Sequence, residues 1–376
     1  MRICLDARGN HFGGVLTYTD SLLKEFSNIN TKHNFIILLD EYQVENSLFE
    51  TRNMEKIVVP DMGPMKMALW NNLALPKLLR KKKVDVYHGL KHFPLFGGGA
   101  KVIFSLHSGS WWLYPSLFKK KELFFWRIYY YLGAKRSDLV IAVSESDKKI
   151  FMKYQRLGSD KIKVTHLAAD ERFKKVIDPK MLQQVKEKYK LPDKYILFVG
   201  VIYPFKNIET VISAFSSAKK KGNLPHKLLI VGSESRAYGS KYRHQLEDLS
   251  RNEKVDKDII WTGSVYDALP EFYTMADLFL FPSIYESFGM PSLEAMSCGT
   301  PVIVSNSGGL PEVVGSAALI NDCKDVGGIS LSILKILQSD KLREEMIEKG
   351  YKQASSFSSK KCAAETFSEY EQLFGT

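Results

Sequence analysis

Short apolar runs alternate with longer amphipathic stretches along the whole chain. The runs lie at 2–5, 35–39, 56–59, 84–87, 102–106, 139–143 and 162–165 in the first half, and at 195–199, 228–231, 259–262, 278–281, 302–304 and 317–320 in the second. Short runs of β-branched and aliphatic residues between amphipathic segments predict parallel strands joined by crossover helices. The predicted fold class is therefore α/β, with two doubly wound, Rossmann-like domains.

A charged, weakly patterned stretch over residues 170–192 separates the two sets of strands and is the expected linker. We expect one Rossmann-like domain over 1–175, a second over 176–355, and a helix over 356–376 that packs back on the first domain. Two such domains face to face would place the carboxyl ends of both sheets around a central cleft, where ligands bind in open α/β sheets.

The composition is that of a globular protein with 376 residues, of which 45% are hydrophobic and 25% charged. No signal peptide is visible, and the most apolar stretch, 123–132, contains Arg127 and is too short to span a bilayer. The four cysteines have neither the C-x-x-C spacing of a zinc site nor the density of a disulfide framework. These features predict a cytoplasmic protein.

The most specific motif contains Glu286 and Glu294, which are separated by seven residues after a predicted buried strand. Pro291 suits a first helical turn because that turn tolerates a missing N–H. The main-chain amides of residues 287–290 would then form a helix N-terminus suited to an anion or to sugar hydroxyls. Taken alone, such a pair is more often a helix-capping glutamate beside an exposed one.

This motif resembles the E-x7-E pattern of family 4, the retaining GT-B glycosyltransferases, and the surrounding sequence from residue 276 to residue 315 is also similar to that family. The resemblance covers nearly the whole chain and is strongest over 195–320. It implies a GT-B fold with an N-terminal acceptor-binding domain and a C-terminal nucleotide-sugar-binding domain. It further implies that the donor sugar hydroxyls bind Glu286, that the sugar and diphosphate bind the amides of Ser287, Phe288, Gly289 and Met290, and that the ribose diol binds Glu294.

Gly13 and Gly14 follow the first predicted strand at the start of a helix. Paired glycines let the backbone approach a phosphate closely, although a tight turn explains them as well. They match the family's first-domain glycine loop, so the resemblance implies that they close over the donor diphosphate. Arg8, beside Asp6 at the same strand end, is a further candidate for donor binding, with a surface salt bridge as the alternative.

Lys206 lies in the loop after the first strand of the second domain. A lysine at a helix start can neutralise a leaving diphosphate, and the resemblance identifies Lys206 as the family's diphosphate contact. The family usually places an arginine in this loop too, but Val201 and Phe205 occupy its usual positions here. Candidates for the second cation are Arg8, Arg236 and Lys241.

His88 and His107 end predicted strands of the first domain, at the edge where open sheets bind ligands. A lone histidine is more often a structural hydrogen-bonding residue. His107 matches the family's strand-end histidine near the donor sugar, so the resemblance adds it to Glu286 and Lys206 as a catalytic candidate. His88 and, more weakly, His92 are expected on the acceptor side.

No metal or cofactor is expected. Asp256-Lys257-Asp258 has the D-x-D form of a different glycosyltransferase fold, but it lies in a charged run before a strand and is interpreted as solvated surface. No cluster of histidine, aspartate or glutamate has the spacing of metal ligands. The sequence predicts metal-independent catalysis in which the nucleotide sugar is a substrate.

The net charge of +11 comes from the first half of the chain. Residues 1–175 include 29 basic and 17 acidic residues, whereas the remaining residues include 24 basic and 25 acidic ones. Basic runs at 80–83 and 119–121 accompany aromatic residues and methionines, a pattern typical of a surface that binds anionic lipid. Ordinary solvated lysines beside core aromatics are the alternative. Nucleic acid is not expected, because no recognition-helix or RNP-like motif is present. The accompanying residues are Met62, Met65, Met67, Trp70, Trp111, Trp112, Tyr114, Phe118, Phe124, Phe125 and Trp126.

We therefore expect a retaining hexosyltransferase that moves a sugar from a nucleotide-diphosphate donor to a saccharide acceptor that is lipid-linked, in cell-surface polysaccharide or glycolipid synthesis. The resemblance implies that the departing diphosphate takes the acceptor's proton, so no protein nucleophile is required. We expect the enzyme at the inner face of the cytoplasmic membrane as a peripheral protein. Two alternatives stay open: a non-catalytic nucleotide-sugar-binding protein and a GT-B sugar-nucleotide epimerase. The donor's base and sugar are not encoded in a recognisable pattern.

Overall fold

A computed structural model describes residues 1–9, 14–28, 33–44, 54–235 and 239–375. The chain divides into two compact units, the first formed by Met1–Ala168 with Ser358–Thr376 and the second by Ala169–Phe357. The divisions fall at residues 168 and 357, against sequence-based expectations of 175 and 355. The last stretch of the chain therefore belongs to the first unit.

The first unit contains a parallel sheet with helices between its strands. Within the described residues its strands are β1 (Arg2–Asp6), β2 (Asn34–Asp40), β3 (Met54–Val59), β4 (Val86–Gly89), β5 (Lys101–Leu106), β6 (Leu139–Ala142) and β7 (Ile162–Val164). Its helices are α1 (Gly14–Asn28), α2 (Pro64–Leu73), α3 (Leu75–Lys81), α4 (Ser110–Leu113), α5 (Lys120–Arg136) and α6 (Glu145–Gln155), with α15 (Ser359–Gly375) at the end of the chain.

The strand order of this sheet is β3-β2-β1-β4-β5-β6-β7, and every pairing is parallel. The order reverses between β1 and β4. The connections that leave the carboxyl ends of these two strands therefore run in opposite directions along the sheet and leave a crevice between them. Strand β5 is buried from Val102 to Leu106, which explains why this stretch is apolar apart from Ser105.

The second unit repeats this architecture. Its strands within the described residues are β8 (Tyr195–Val199), β9 (Lys227–Val231), β10 (Ile259–Gly263), β11 (Leu278–Phe281), β12 (Val302–Ser305) and β13 (Leu319–Asn321). Its helices are α7 (Pro179–Tyr189), α8 (Ile208–Gly222), α9 (Gly239–Asn252), α10 (Leu269–Met275), α11 (Met290–Ser297), α12 (Leu310–Val314), α13 (Val326–Leu337) and α14 (Asp340–Ser355). The parallel strand order β10-β9-β8-β11-β12-β13 reverses between β8 and β11. The predicted α/β fold with two Rossmann-like sheets is confirmed, and each predicted strand overlaps an observed one.

The expected linker is not a simple connection, because α7 occupies its centre. Asp178 caps this helix by accepting a hydrogen bond from the Lys180 N–H at 2.9 Å, and Pro179 lies in the first turn. Tyr189 at its end packs edge-on against Phe272, with 5.0 Å between ring centroids. The helix is part of the second unit.

Helix α15 packs against α1 in the first unit. On α1 the buried side chains include Tyr18, Leu22 and Phe26, whose spacing of four residues forms one helix face. Phe26 contacts Phe367 and Tyr370 of α15, with ring centroids 6.1 and 5.9 Å apart. The final helix thus covers apolar surface near the start of the chain.

Candidate functional site

Residues 282–289 connect β11 to α11 and carry Glu286. Gly289 precedes the helix with a φ of +103°, a conformation that favours glycine. A turn at Gly308 and Gly309 lies against the loop: the Gly309 N–H donates to the Glu286 carbonyl oxygen at 2.8 Å, and a Cβ atom on Gly308 would lie 2.0 Å from that oxygen. The position of Glu286 therefore depends on the absence of a side chain at residue 308.

Lys206 and Glu286 form a direct ion pair at the carboxyl ends of β8 and β11. The Lys206 Nζ lies 2.6 Å from the Glu286 Oε1, and both side chains keep a small exposed surface, 20% and 16% respectively. The same Nζ lies 4.9 Å from the centroid of the Phe281 ring. The neighbouring Asn207 amide connects the two loops by donating to the Pro282 carbonyl oxygen at 2.9 Å. This edge of the sheet thus presents one cation and one carboxylate in contact.

Glu294 lies on α11, where its Oε2 accepts a hydrogen bond from the Tyr273 hydroxyl at 3.0 Å. Burial disfavours the ionised carboxylate and raises the pKa of Glu294 to about 7, while the Tyr273 hydrogen bond opposes that shift. Glu294 therefore changes its charge near neutral pH, which an exposed glutamate does not.

The residues between these two glutamates present main chain rather than side chains. Phe288 and Met290 are buried, and the Phe288 ring packs edge-on against Phe357 with 5.6 Å between centroids. Ser287 is partly exposed, and Gly289 has no side chain. Any ligand contact from this segment would therefore come through backbone amides, as the sequence predicts; the contact itself stays a prediction.

In the first unit, His107 follows β5 and lines a cavity of about 140 Å³ with Lys91, Trp112 and Arg127. Its Nε2–H donates to the Leu90 carbonyl oxygen at 2.7 Å. Burial lowers the pKa of His107 to about 4, so the ring is neutral at pH 7. The position at a strand end agrees with the sequence, and its role stays a prediction. Of the glycine pair, Gly14 begins α1, and Gly13 lies outside the described residues.

Arg8 does not lie where a phosphate could reach it, so its assignment to donor binding is wrong in this structure. Its side chain is fully buried and forms a bidentate ion pair with Asp6. The Arg8 Nε donates to the Asp6 Oδ1 at 2.7 Å, and the Arg8 Nη2 contacts the Asp6 Oδ2. Nη2 also donates to Asn71 at 2.8 Å, and the guanidinium lies 4.4 Å from the Trp70 ring centroid. The alternative, a salt bridge with Asp6, is correct, but the bridge is buried rather than on the surface.

His88 is also internal, which corrects its assignment to the acceptor side. Its ring is fully buried, with Nδ1 2.6 Å from the Tyr370 hydroxyl and Nε2 2.7 Å from the Ser105 hydroxyl. Both ring nitrogens are thus satisfied by protein groups, so His88 joins β4 to β5 and α15 and offers nothing to a ligand. His92, in contrast, is partly exposed and lines a second cavity of the first unit.

Comparisons with known proteins place this geometry in a family. The family model described as Glycosyltransferase Family 4 matches residues 12–173, and that described as Glycosyl transferases group 1 matches residues 181–353. The O-antigen chain mannosyltransferase B of Escherichia coli is 32% identical over 297 residues, which cover 78% of this chain and 76% of that protein. The chain belongs to the group 1, family 4 glycosyltransferases.

Solved structures agree on the fold of this glycosyltransferase. A glycosyltransferase from Rickettsia africae aligns with a TM-score of 0.79 at 19% identity, covering 99% of this chain and 98% of that one. HepE from Anabaena, solved in complex with UDP and glucose, aligns with a TM-score of 0.77 at 18% identity, covering 98% and 100%. At these identities the similarity establishes the GT-B fold.

Sequence reasoning about this glycosyltransferase missed Tyr273. The tyrosine lies on α10, 21 residues before Glu294, and no motif connects the two. The usual arginine of the Lys206 loop has no replacement at its own positions, since Phe205 is buried against Tyr203 and Val201 is an exposed aliphatic residue. Among the candidates for a second cation, Arg8 is excluded by burial, Lys241 is exposed on α9, and Arg236 lies outside the described residues.

The described part of this glycosyltransferase lacks two features that would point to a membrane span or a metal site. None of its helices is both long and apolar enough to cross a membrane. No group of three or more histidine, cysteine, aspartate or glutamate side chains in that part is arranged to hold a metal ion. Metal-independent catalysis stays a prediction.

Proposed function

We propose that this protein is a retaining hexosyltransferase that transfers a sugar from a nucleotide-diphosphate donor to a saccharide acceptor. The observation that carries the proposal is the contact between Lys206 and Glu286 at the edge of the second sheet, in a chain that belongs to a glycosyltransferase family. An ammonium group can bind the donor diphosphate, and a carboxylate beside it can accept hydrogen bonds from sugar hydroxyls. The ammonium and the carboxylate thus suit the two groups that the breaking bond joins, the diphosphate and the sugar.

In the proposed reaction the acceptor oxygen bonds to the anomeric carbon while the bond from that carbon to the diphosphate oxygen breaks. The departing diphosphate oxygen receives the acceptor's proton on the same face, which preserves the anomeric configuration. Lys206 stabilises the negative charge that develops on the diphosphate, the kind of preorganised electrostatic contribution that is often the largest in transfer reactions. We assign Glu286 to the sugar hydroxyls and His107 to the donor sugar.

Glu294 is proposed to bind the ribose diol of the nucleotide. Support comes from its hydrogen bond with Tyr273, which holds one carboxylate oxygen and fixes the orientation of the other. A carboxylate that accepts hydrogen bonds from two hydroxyl groups is best ionised. Ribose binding would therefore favour the ionised form of Glu294, whereas burial favours the protonated form. The main-chain amides of residues 287–290 are proposed to bind the diphosphate at the start of α11.

A lipid-linked acceptor in cell-surface polysaccharide synthesis is proposed from two sources. One is the name of the Escherichia coli relative, an O-antigen chain mannosyltransferase. The other is the surface of α5, where Phe124, Phe125 and Ile128 are 70%, 39% and 45% exposed beside the exposed lysines 119–121. Apolar side chains next to basic ones suit the surface of an anionic membrane.

The charge of the first unit agrees with that proposal. With α15 included, this unit has 28 basic and 18 acidic residues, whereas the second has 25 and 24. Lys206, Glu286 and Glu294 therefore lie in a nearly neutral unit, and the unit proposed to meet the acceptor carries the excess charge. We propose the inner face of the cytoplasmic membrane as its location.

Donor turnover tests the proposed activity. Purified protein is incubated with GDP-mannose, UDP-glucose and the corresponding dTDP and ADP sugars, with and without saccharide acceptors, and nucleotide release is measured. Acceptor-dependent release with an unchanged anomeric configuration, read by NMR of the product, supports the proposal. Tight binding without turnover supports a binding protein instead, and a changed sugar without any acceptor supports an epimerase.

The two site residues are tested with matched controls. We expect K206A and E286A to lower kcat by about 10²–10³-fold, the usual effect of removing one preorganised transition-state group. K257A and E348A remove an exposed lysine and an exposed glutamate elsewhere in the same unit and should leave kcat unchanged. Turnover within twofold of wild type in K206A or E286A would refute the assignment of that residue.

Membrane association has its own test. Cosedimentation with vesicles of phosphatidylglycerol and phosphatidylcholine should increase with the anionic fraction and fall at high salt. The F124S/F125S variant should lose most of this binding, and L331S, which changes a 60% exposed leucine of the second unit, should not. Binding that is indifferent to the anionic lipid would overturn the membrane proposal while leaving the sugar transfer untouched.

A further inference from the structure

Lys206 and Glu286, which the proposed function assigns to different parts of the donor, bind each other in this structure. The Lys206 Nζ lies 2.6 Å from the Glu286 Oε1, a distance typical of a charge-assisted hydrogen bond. The two side chains are only 20% and 16% exposed, so solvent ions screen the pair weakly. A diphosphate that binds Lys206 must therefore compete with a carboxylate that already neutralises the ammonium.

The two loops that carry this pair have equal and opposite charges. Residues 200–207 include one cation, Lys206, and residues 282–289 include one carboxylate, Glu286. The neighbouring loop after β9 adds a further carboxylate, because Glu234 forms a parallel bridge with Ile202. Arg236, two residues further along, lies outside the described residues. The described residues of these three loops thus carry no excess positive charge that would attract a diphosphate.

Backbone contacts hold the two loops together on either side of Lys206. The Ile284 N–H donates to the Phe205 carbonyl oxygen at 2.8 Å. The Asn207 amide donates to the Pro282 carbonyl oxygen at 2.9 Å. These bonds leave the flexible stem of the lysine side chain as the part that moves most easily. The ion pair can therefore open by rotation of side chains, without movement of either loop.

Opening the pair has different consequences for its two members. The ammonium gains phosphate oxygens, which accept hydrogen bonds. The carboxylate, which is mostly buried, needs hydrogen-bond donors in place of the ammonium, because an unpaired charge is costly there. A sugar ring supplies such donors through its hydroxyl groups, whereas a nucleoside diphosphate ends in an ionised phosphate that supplies none. Only the intact donor therefore offers a new partner to both members of the pair.

We propose that the contact between Lys206 and Glu286 makes the site select the intact nucleotide-diphosphate sugar over the free nucleoside diphosphate. Donor binding replaces one ion pair by two sets of contacts, phosphate oxygens on Lys206 and sugar hydroxyls on Glu286. After transfer the sugar leaves with the acceptor, and Glu286 returns to Lys206 and displaces the diphosphate. This inference rests on the proposed function and gives Glu286 a second role, as the residue that promotes release of the spent nucleotide.

Calorimetry with the full chain tests this selectivity without any variant. GDP is compared with GDP-mannose and UDP with UDP-glucose, each in the absence of acceptor. In wild type, the sugar nucleotide that the enzyme turns over should bind about tenfold more tightly than its nucleoside diphosphate, the scale of one hydrogen bond to a charged group. A nucleoside diphosphate that binds as tightly as its sugar nucleotide, or more tightly, would overturn the proposal.

The E286Q variant removes the negative charge and keeps the shape of the side chain. It should bind the nucleoside diphosphate about tenfold more tightly than wild type, because the ammonium of Lys206 no longer has a charged partner. Its affinity for the sugar nucleotide should not rise, so the preference of wild type disappears. E348Q, at an exposed glutamate of α14, is the matched control and should bind both ligands as wild type does. An unchanged affinity of E286Q for the nucleoside diphosphate would contradict the proposal.

A double-mutant cycle determines whether the effect depends on Lys206. Glu286 also repels a diphosphate directly, and this repulsion does not require the ammonium. If the ion pair is responsible, E286Q should raise the affinity for the nucleoside diphosphate about tenfold in the wild-type background and by less than about twofold in K206Q. An equal increase in both backgrounds would assign the effect to direct repulsion and refute a role of the pair.

The two proposals fail in different ways. If wild type turns over a donor but binds its nucleoside diphosphate just as tightly, the selectivity inference is wrong and the proposed function stands. If wild type binds neither nucleotides nor sugar nucleotides, the proposed function is wrong and the selectivity inference is wrong with it.

Discussion

The buried pair of Arg8 and Asp6 allows a quantitative prediction about the first unit. Replacing Arg8 by methionine removes both charged contacts to Asp6 and the bond to Asn71, but it keeps an apolar stem beside Trp70. Asp6 is left as a buried carboxylate with the Tyr87 hydroxyl, which donates to it at 2.6 Å. An uncompensated charge at this depth is what makes such substitutions costly.

The expected loss in the free energy of unfolding of this unit is about 3–5 kcal/mol, the range for breaking a buried ion pair by removing one partner. Two charge-assisted hydrogen bonds at about 1.5–3 kcal/mol each sum to about 3–6 kcal/mol, which overlaps that range. Because a domain is typically stable by only about 5–15 kcal/mol, the variant should be folded but strongly weakened. D6N/R8M, which leaves no buried charge, should recover a substantial part of the loss.

Urea titration followed by tryptophan fluorescence is the assay, since Trp70, Trp111, Trp112 and Trp126 all belong to the first unit. R80M, which changes an exposed arginine of α3, is the control and should shift the free energy by less than about 0.5 kcal/mol. If R8M unfolds at the wild-type urea midpoint, Arg8 is not a structural residue. A normal midpoint with weakened nucleotide binding would restore the donor-binding assignment that the structure rejects.

Further predictions concern single contacts. Y370F removes the hydroxyl 2.6 Å from the His88 Nδ1 and should destabilise the first unit by about 1–3 kcal/mol in the same urea assay; an unchanged midpoint would contradict this. Burial lowers the pKa of His88 to about 3, against about 6.5 in the unfolded chain. The contribution of the neutral ring to the free energy of unfolding is therefore complete above pH 6.5 and falls by up to ~1.4 kcal/mol per pH unit as the pH drops toward 3. The melting temperature should decrease with falling pH across that window, and this decrease should be smaller in H88Q. Nucleotide affinity, measured by calorimetry, should weaken up to tenfold per pH unit as the pH falls below about 7, because Glu294 protonates there; a slope that persists in E294Q would refute its role. G308A should displace the Glu286 loop, because its Cβ would lie 2.0 Å from the Glu286 carbonyl oxygen, and should reduce donor turnover at least tenfold. G375A is the control: no atom lies within 4 Å of its added Cβ, so donor turnover should be unchanged.

The central strands of the second sheet could be predicted because they are buried on both faces, which forces continuous apolar runs such as 195–199 and 278–281. Helix α7 was hidden for the opposite reason. No residue of α7 is buried, so its apolar positions are sparse and its sequence is dominated by charge. The cap formed by Asp178 and Pro179 is the one local signal that could have found it.

The candidate site was predicted in part. Glu286, Lys206 and Glu294 were recognised from local motifs, but the bond between Lys206 and Glu286 joins residues 80 positions apart and required the sheet to bring them together. Arg8 was misassigned because its partner Asn71 lies 63 positions away on α2. A strand-end arginine looks the same in sequence whether it turns toward a ligand or into the interior.

The aromatic residues of α5 show the same limit on a smaller scale. This helix has apolar residues on nearly every side, so its sequence does not tell which face is exposed. Phe124 and Ile128 are four positions apart and point outward together, whereas Trp126 and Tyr130 share the opposite face and line the cavities. Only the packing against the sheet separates the two groups.

The placement of α15 bears on how the chain folds as it is made. The first unit receives its final helix only after about 190 residues of the second unit have been synthesised, which takes roughly 10–40 s at typical rates of translation. During that interval Phe26 lacks its contacts with Phe367 and Tyr370, and the Nδ1 of His88 lacks its partner. The nascent first unit therefore exposes an apolar face of α1 while the second unit is being synthesised. A chaperone that binds exposed apolar helices could bind this face during that period.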